Sequence, residues 1–292
     1  EAGIKTEEFV KKNSAVFEKL CNLLNLTNDD FIKTTEKRHV KVAQSIFQTI
    51  FDKGEIYKKS YSGLYCEGCE AFLAKRDLVD ERCSEHNKEP KIIEEENYFF
   101  KLSKYEKQIL KLVSSEDFIV PKGFRKEIVN RIKTDGLKDI SVSRPGMDWG
   151  INTPIDDNHK IYVWIDALSN YISALDYPNG KKFNKYWPAD IHVVGKGINW
   201  FHSVIWPAIL MSAEIDLPKK ILVHGYLTFN GQKISKSLGN AIDPITLIEK
   251  YGVDPFRYTL LKDIPFNQDG NFSENSLKER VNNELANDLG NL

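Results

Sequence analysis

No stretch of the 292 residues approaches the ~18 consecutive apolar side chains that an α-helical membrane span requires. The opening residues, EAGIKTEEF, are charged and carry no apolar run of the signal-peptide kind. Cysteine is scarce at four, too few for a disulfide scaffold. An excess of one charge is also missing: 41 Lys and Arg face 42 Asp and Glu, for a net charge of −1 and a pI near 6.7. The molecule as a whole therefore does not advertise a nucleic-acid binder, and any RNA contact has to come from a local patch. What is present is core material: 41% hydrophobic and 11% aromatic residues, which excludes intrinsic disorder. The expectation is a soluble, cytoplasmic chain.

Periodicity predicts two helices in the first fifty residues. Phe9, Asn13, Val16, Phe17, Leu20 and Leu24 recur at helical spacing with Thr6 as N-cap. Val40, Ala43, Phe47, Ile50 and Phe51 do the same, and Gly54 ends that helix. From Glu55 to Tyr98 short tyrosine-bearing segments, cysteines and charged turns read as a small loop-and-strand module. Helices are predicted over Ser103–Ser115 and Lys122–Lys133, separated by Pro121. Beyond Asp157, the apolar runs Ile161–Ile165, Ile191–Val194 and Ile221–Val223 read as buried strands with helical segments between them, the mark of a parallel sheet covered on both faces. Asp243-Pro244 and Asp254-Pro255 each predict an N-cap Asp ahead of a first-turn Pro. Leu277, Val281, Leu285 and Leu289 form a last apolar stripe without a cap, as though the natural polypeptide continued.

Three of the four cysteines stand near a histidine: Cys66-Glu-Gly-Cys69, then Cys83-Ser-Glu-His86. Two intervening residues let both ligands of a pair reach one ion from a tight turn. Three sulfurs and an imidazole favour tetrahedral zinc, and four protein ligands leave no open position, so the ion would be structural. The alternatives are a redox Cys-x-x-Cys pair or incidental cysteines. Cys21, within the first helix, reads as a small buried hydrophobe.

After the run ending at His224 comes a polar loop with flanking glycines, Gly225-Tyr-Leu-Thr-Phe-Asn-Gly-Gln-Lys-Ile-Ser-Lys-Ser-Leu-Gly239-Asn240. Two lysines and two serines suit a polyphosphate, although the Walker A pattern is absent and a solvated basic turn has the same composition. Lys233-Ile-Ser-Lys-Ser237 resembles the KMSKS signature of class I aminoacyl-tRNA synthetases. Further segments resemble the methionyl-tRNA synthetase family in particular: Tyr98-Phe-Phe-Lys-Leu-Ser103, Ser141-Val-Ser-Arg144, Asp148-Trp-Gly150, Tyr162-Val-Trp-Ile-Asp-Ala167, Tyr186-Trp-Pro-Ala-Asp190, Trp206-Pro-Ala208, Asp269-Gly-Asn-Phe-Ser273 and Ala286-Asn-Asp-Leu-Gly290. Gly195-Lys196, His224-Gly225 and the cysteine module fit the same family, and the resemblance runs the length of the chain.

The resemblance implies an α/β fold: a partial parallel Rossmann-like sheet with an inserted zinc-binding module and C-terminal helices. It implies four parts, 1–53 as the helical remainder of a first Rossmann half, 54–155 as the inserted zinc-binding module, 156–229 as the second half, and 230–292 as the lysine loop, stem-contact helices and the start of a helical anticodon-binding region. It implies a methionine–tRNA ligase reaction with methionine, ATP (with Mg2+) and methionine tRNA as substrates, one structural Zn2+, no membrane, and a monomer. Lys233 and Lys236 are then the catalytic cations. Ser235 and Ser237 either bond the phosphates or hold the loop. Gly195, His224 and Gly225 complete the ATP contacts, and Trp164, Ala167, Tyr171, Ile198 and His202 line the methionine pocket. The residue-level reading of Trp164 and Tyr171, by contrast, is ordinary core.

Two departures stand out. The family usually carries an acid after its Gly-Lys pair, where this chain has Gly197. Its His-Ile-Gly-His signature is nowhere among the 292 residues, so the chain alone is expected not to activate methionine. Two other functions remain open on sequence. One is a synthetase-derived zinc module that binds RNA without chemistry; the other is a class I synthetase for a different amino acid such as cysteine or leucine. The basic stretch Lys122, Arg125, Lys126, Arg131, Lys133 and Lys138 reads as a solvated helix face or as a contact for the tRNA acceptor end.

Overall fold

A computed structural model describes residues 3–69, 71–73, 78–85, 87–229, 232–233 and 243–291, and at 61, 71, 72, 232 and 233 the backbone alone. Helix α1 (Thr6–Leu23) begins one residue earlier than its sequence suggests: Thr6 is the first helical residue, Lys5 caps, and no side chain accepts there. None of its residues is fully buried, and Phe9, Val16 and Phe17 remain exposed. Cys21 is half-buried rather than buried. Helix α2 (Lys37–Asp52) follows the expected pattern, with His39, Val42, Ala43, Ile46, Phe47 and Ile50 buried on one face and Gly54 turning the chain out at φ +68°.

Among the described residues, 55–100 hold two long strands as well as short ones. β1 (Ile56–Cys66) pairs antiparallel with β5 (Lys91–Phe100) from Ile56↔Phe100 to Tyr65↔Lys91. β2 (Ala71–Leu73), β3 (Leu78–Val79) and β4 (Arg82–Cys83) decorate the connection. Polar residues on β1 hid its length, because both its faces are only half covered until Tyr98, Phe99 and Phe100 enter the core. Helix α3 (Glu106–Ser114), strand β6 (Ile119–Val120) and helix α4 (Lys122–Asp135) come next, then β7 (Ile140–Ser141) and β8 (Ser143–Pro145). On α4 the basic residues are not all solvated: Arg125 is buried, and the Arg131 guanidinium lies 3.9 Å from the Trp200 ring centroid.

The run Ile161–Ile165 is not a buried strand. Strand β9 (His159–Ile161) stops at Tyr162 and pairs antiparallel with β8, and helix α5 (Val163–Ser173) starts immediately. A short apolar run has no periodicity of its own. The helix is favoured because Ile165, Leu168 and Ile172 then share one buried face, each worth about 1.5–3 kcal/mol of burial. Helix α6 (Lys181–Tyr186) leads to β10 (His192–Gly195), and helix α7 (Trp206–Ser212) to β11 (Ile221–His224). β10 and β11 are parallel as expected, and β6 adds to β11 in the same direction, giving the order β10-β11-β6. One continuous core from Val42 to Val223 ties this sheet to α2, α3, α5 and α7.

β12 (Leu227–Phe229) and β13 (Gln232–Lys233) form a hairpin that pairs with β14 (Gly270–Phe272). Helix α8 (Pro244–Tyr251) is capped by Asp243, whose carboxylate accepts from the Ile245 N–H at 3.0 Å. In α9 (Val253–Asp263) the cap is Gly252, so Asp254 and Pro255 sit inside the first turn. Helix α10 (Glu274–Glu279) runs on into a π-helical stretch, Arg280–Asp288, whose wider turn takes Leu289 out of the stripe to the surface. Leu247, Phe256, Phe272 and Leu277 make a second, smaller core. Among the described residues no helix is long and apolar enough to cross a membrane.

Candidate active site

Ligands of open α/β sheets settle beyond the carboxyl ends of parallel strands. Here those ends are Gly195 and His224, paired across β10 and β11. A Cβ at Gly195 would stand 3.7 Å from His224 Cε1, so the two strand ends are in near contact. His224 Nδ1 lies 2.8 Å from the Gly225 carbonyl, which can only accept, so that nitrogen carries the proton. At Gly225 a Cβ would fall 2.0 Å from the Gln268 carbonyl oxygen; only glycine lets the chain pass there.

Beside these ends lies an aromatic wall. Trp164, Ala167 and Tyr171 stand at i, i+3 and i+7 on α5, one helical face. Trp164 stacks on Phe201 with centroids 3.6 Å apart and planes at 12°. The Tyr171 hydroxyl lies 2.8 Å from His202 Nε2, and His202 Nδ1 lies 2.9 Å from the Ile198 carbonyl. The carbonyl fixes the tautomer: Nδ1 donates, so Nε2 accepts from the tyrosine. Burial lowers the His202 pKa against the opposing pull of that carbonyl, which keeps the ring neutral. Burial likewise pushes Tyr171 up to about 12, so it stays a donor. His202 belongs to a π-helical turn, Phe201–Ile205. Pro207, just beyond it, has no N–H to close an α-turn on Ser203, and the turn ahead widens.

Of the predicted pocket residues, Tyr171, His202 and Ile198 are joined by hydrogen bonds and Trp164 shares a helical face with Tyr171, and residues that the sequence does not single out support them. Phe201 is the stacking partner of Trp164. His192 stacks on Tyr171 at 3.9 Å, and its ring nitrogens have no hydrogen-bond partner among the described residues. Burial, aided by His202, pushes His192 down to about 3. Behind α5, the buried His39 uses both nitrogens, Nε2 at 2.7 Å from Asp166 Oδ1 and Nδ1 at 2.9 Å from Ser173 Oγ. No local sequence signal marks that link, because its partners lie 127 and 134 residues away.

Of the residues predicted to form a phosphate loop, Lys233 is placed by its backbone, opposite Thr228 in the hairpin. Ser235, Lys236 and Ser237 lie outside the described residues. So does His86, while the Sγ atoms of Cys66, Cys69 and Cys83 lie within 4.8 Å of one another, close enough to share one metal ion.

The residue pattern of the tRNA synthetases class I (M) matches residues 1–85 and 73–292. The chain belongs to that family. Two relatives, the methionine–tRNA ligases of Caldanaerobacter subterraneus subsp. tengcongensis and Thermotoga maritima, are each 48% identical to it over 295 and 297 residues. Both alignments take in 100% of this chain, and 46% and 47% of those proteins. A crystal structure of Mycobacterium tuberculosis methionyl-tRNA synthetase bound by methionyl-adenylate superposes with a TM-score of 0.93 at 41% identity, covering 99% of this chain and 58% of that one. The apo form of the same enzyme gives 0.86 at 38% identity. The chain therefore spans about half the length of its curated class I (M) relatives, and its α/β fold is that of the matching part of the solved enzyme.

Proposed function

We propose that this chain carries one wall of a methionine-activating site, in which methionine and ATP form methionyl-adenylate and the methionyl group passes to methionine tRNA. The observation that carries the reading is the Tyr171–His202–Ile198 relay beside the Gly195 and His224 strand ends. A flat apolar wall of Trp164, Ala167 and Ile198 suits an unbranched, polarizable thioether. Neutral His202, held by Ile198, presents the tyrosine at a fixed angle without placing a charge in the pocket. Gly195 admits a nucleotide to the strand end, with His224 and Gly225 at its edge.

Attack of the methionine carboxylate on the α-phosphate of ATP is an in-line displacement in which charge builds on phosphate oxygens. Lys233 and Lys236 are the cations assigned to that charge, with Ser235 and Ser237 as donors or loop supports, and ATP brings Mg2+ as its counter-ion. Cys66, Cys69 and Cys83 with His86 would hold one structural zinc; the donor set fits the ion, and its part is to fix the 54–155 insert. The division into 1–53, 54–155, 156–229 and 230–292 is part of the same reading, as are a cytoplasmic location and a monomeric chain. Because no His-Ile-Gly-His segment occurs in these residues, the 292-residue polypeptide alone is expected to show no turnover.

Methionine-dependent ATP–pyrophosphate exchange tests this. The chain joined to a segment bearing His-Ile-Gly-His should exchange with methionine and not with leucine or cysteine. Equal exchange with the other amino acids, or none with any, refutes the assignment.

A further inference from the structure

Gly197, one residue beyond the Gly195-Lys196 strand end, is spatially blocked. A Cβ built there would lie 2.1 Å from the Tyr226 hydroxyl oxygen and 3.1 Å from its Cζ. The phenol thus fills the space a side chain at 197 would take, and a methyl group is admitted only if the ring swings out. The ring is not loosely held. Lys196 Nζ sits 4.7 Å from its centroid. The same ammonium is 2.7 Å from Asp269 Oδ1, and that oxygen accepts from the Tyr226 N–H at 2.8 Å. The Tyr226 carbonyl in turn accepts from the Gly270 N–H at 2.9 Å. The Lys196 bond and the Tyr226 N–H hold the Asp269 carboxyl below its ordinary pKa. Three segments meet here: the turn after β10, the start of the β12–β13 hairpin, and the residue ahead of β14.

We propose that Tyr226, lodged against Gly197, is a positioning residue that fixes the base of the Lys233-bearing hairpin to the ligand-side end of β10. The hairpin follows β11 through Gly225 and Tyr226, and among the described residues its strands pair with each other and with β14 and not with the parallel sheet. Beside this wedge, the turn after β10 meets the segment that holds the hairpin through the Lys196–Asp269 ion pair, whose side chains are about one-third exposed, and an exposed pair of this kind holds only weakly. Glycine at 197 is what allows the two backbones to close on the ring. That the hairpin then presents Lys233 to a nucleotide rests on the function proposed above. The latch itself is read out with no ligand present, so the two can fail separately.

Amide hydrogen exchange in the full chain is the test. Gly197→Ala should speed exchange across residues 226–229 by roughly ten-fold, with the second core around Phe272 and Leu277 unchanged, since only a local opening is involved. Y226F removes the oxygen nearest to the new methyl group, so the G197A effect should shrink to about two-fold or less in the Y226F background, while Y226F by itself stays close to the starting chain. Should G197A unfold the protein, K196M provides the second variant and should loosen the same amides. Where ATP–pyrophosphate exchange is measurable, G197A should raise KM for ATP several-fold with kcat within about two-fold; loss in kcat alone counts against positioning. Equal G197A effects in both backgrounds, uniform loosening of the whole chain, or no change at 226–229 with either G197A or K196M overturns the proposal. Absence of any ATP–pyrophosphate exchange in the chain joined to a segment bearing His-Ile-Gly-His counts against the function above, and the amide result then decides the latch by itself.

Discussion

Tyr171 and His202, thirty-one residues apart, are joined by a 2.8 Å hydrogen bond whose direction is set by a third group, the Ile198 carbonyl on the other ring nitrogen. This relay links α5 to the turn after β10, and it sits in a largely buried aromatic cluster. Removing the donor with Tyr171→Phe leaves His202 Nε2 without a partner and should cost about 1–3 kcal/mol in urea unfolding. A loss under half a kcal/mol would mean that water replaces the bond and that the site is open.

His192 gives a pH signature. It is buried among Tyr171, Trp187, His202 and Trp206, and its folded pKa of about 3 lies far below the ordinary histidine value. The unfolded chain therefore binds the extra proton first as pH falls. Stability is fully present above the ordinary histidine range and is lost progressively toward pH 3, at up to ~1.4 kcal/mol per pH unit from this group. Urea midpoints between pH 4 and 7 should fall along that slope, and H192F should flatten it and raise stability at pH 5. A variant that keeps the full slope would place its origin elsewhere.

Much of this was readable from residue order, and the exceptions have physical causes. The runs at Ile191 and Ile221 are strands because each is short and bounded by turns, whereas the run at Ile161 splits: Tyr162 is extended and Val163 opens a helix whose periodicity becomes visible only with Leu168 and Ile172. β6 is two residues long and takes its identity from pairing with Ile221 and Leu222, which no local pattern predicts. Asp254-Pro255 mimics the true cap at Asp243-Pro244, but Gly252 with φ +88° takes the cap position. Candidate residues inside contiguous motifs, such as Trp164 and the cysteines, can be named from residue order. His39 and Tyr226 were not, because what defines them is a distant partner.

The link from His39 to Asp166 and Ser173 holds α2 against the helix that bears the aromatic wall. His39→Leu should destabilise the chain by about 2–4 kcal/mol, since in a mostly buried setting it takes the ring partner from Asp166 and leaves Ser173 Oγ only its bond to the Asn170 carbonyl. Circular-dichroism melts check this, and H39Q, which keeps one donor, should recover part of the loss. Full stability of the leucine variant would show that solvent satisfies both groups.

Glu55 ties the insert to α7. Burial raises its pKa, but hydrogen bonds from Lys104, Tyr105 and Ser212 outweigh that and leave it lowered. A lowered carboxylate contributes stability above its unfolded pKa and loses it as pH falls through the folded value. E55Q should therefore lose about 1–3 kcal/mol at pH 7, and this deficit should narrow below pH 4. A deficit independent of pH would assign the loss to packing.

Zinc content is measurable directly. Purified chain should carry one zinc per polypeptide, and C83S or chelation should lower the melting temperature while leaving the α2–α5 core folded. Metal-free protein of unchanged stability contradicts the structural-zinc assignment.

In the proposed site methionine lies against Trp164, Tyr171 and His202, with its adenylate across Gly195 and His224. The decisive measurement is a crystal of this chain, joined to a segment bearing His-Ile-Gly-His, grown with a non-hydrolysable methionyl-adenylate analogue. The thioether should lie beside the Tyr171–His202 pair and the adenosine at the ends of β10 and β11. Binding at another place, no binding at millimolar analogue, or equal binding of the leucyl analogue would contradict it.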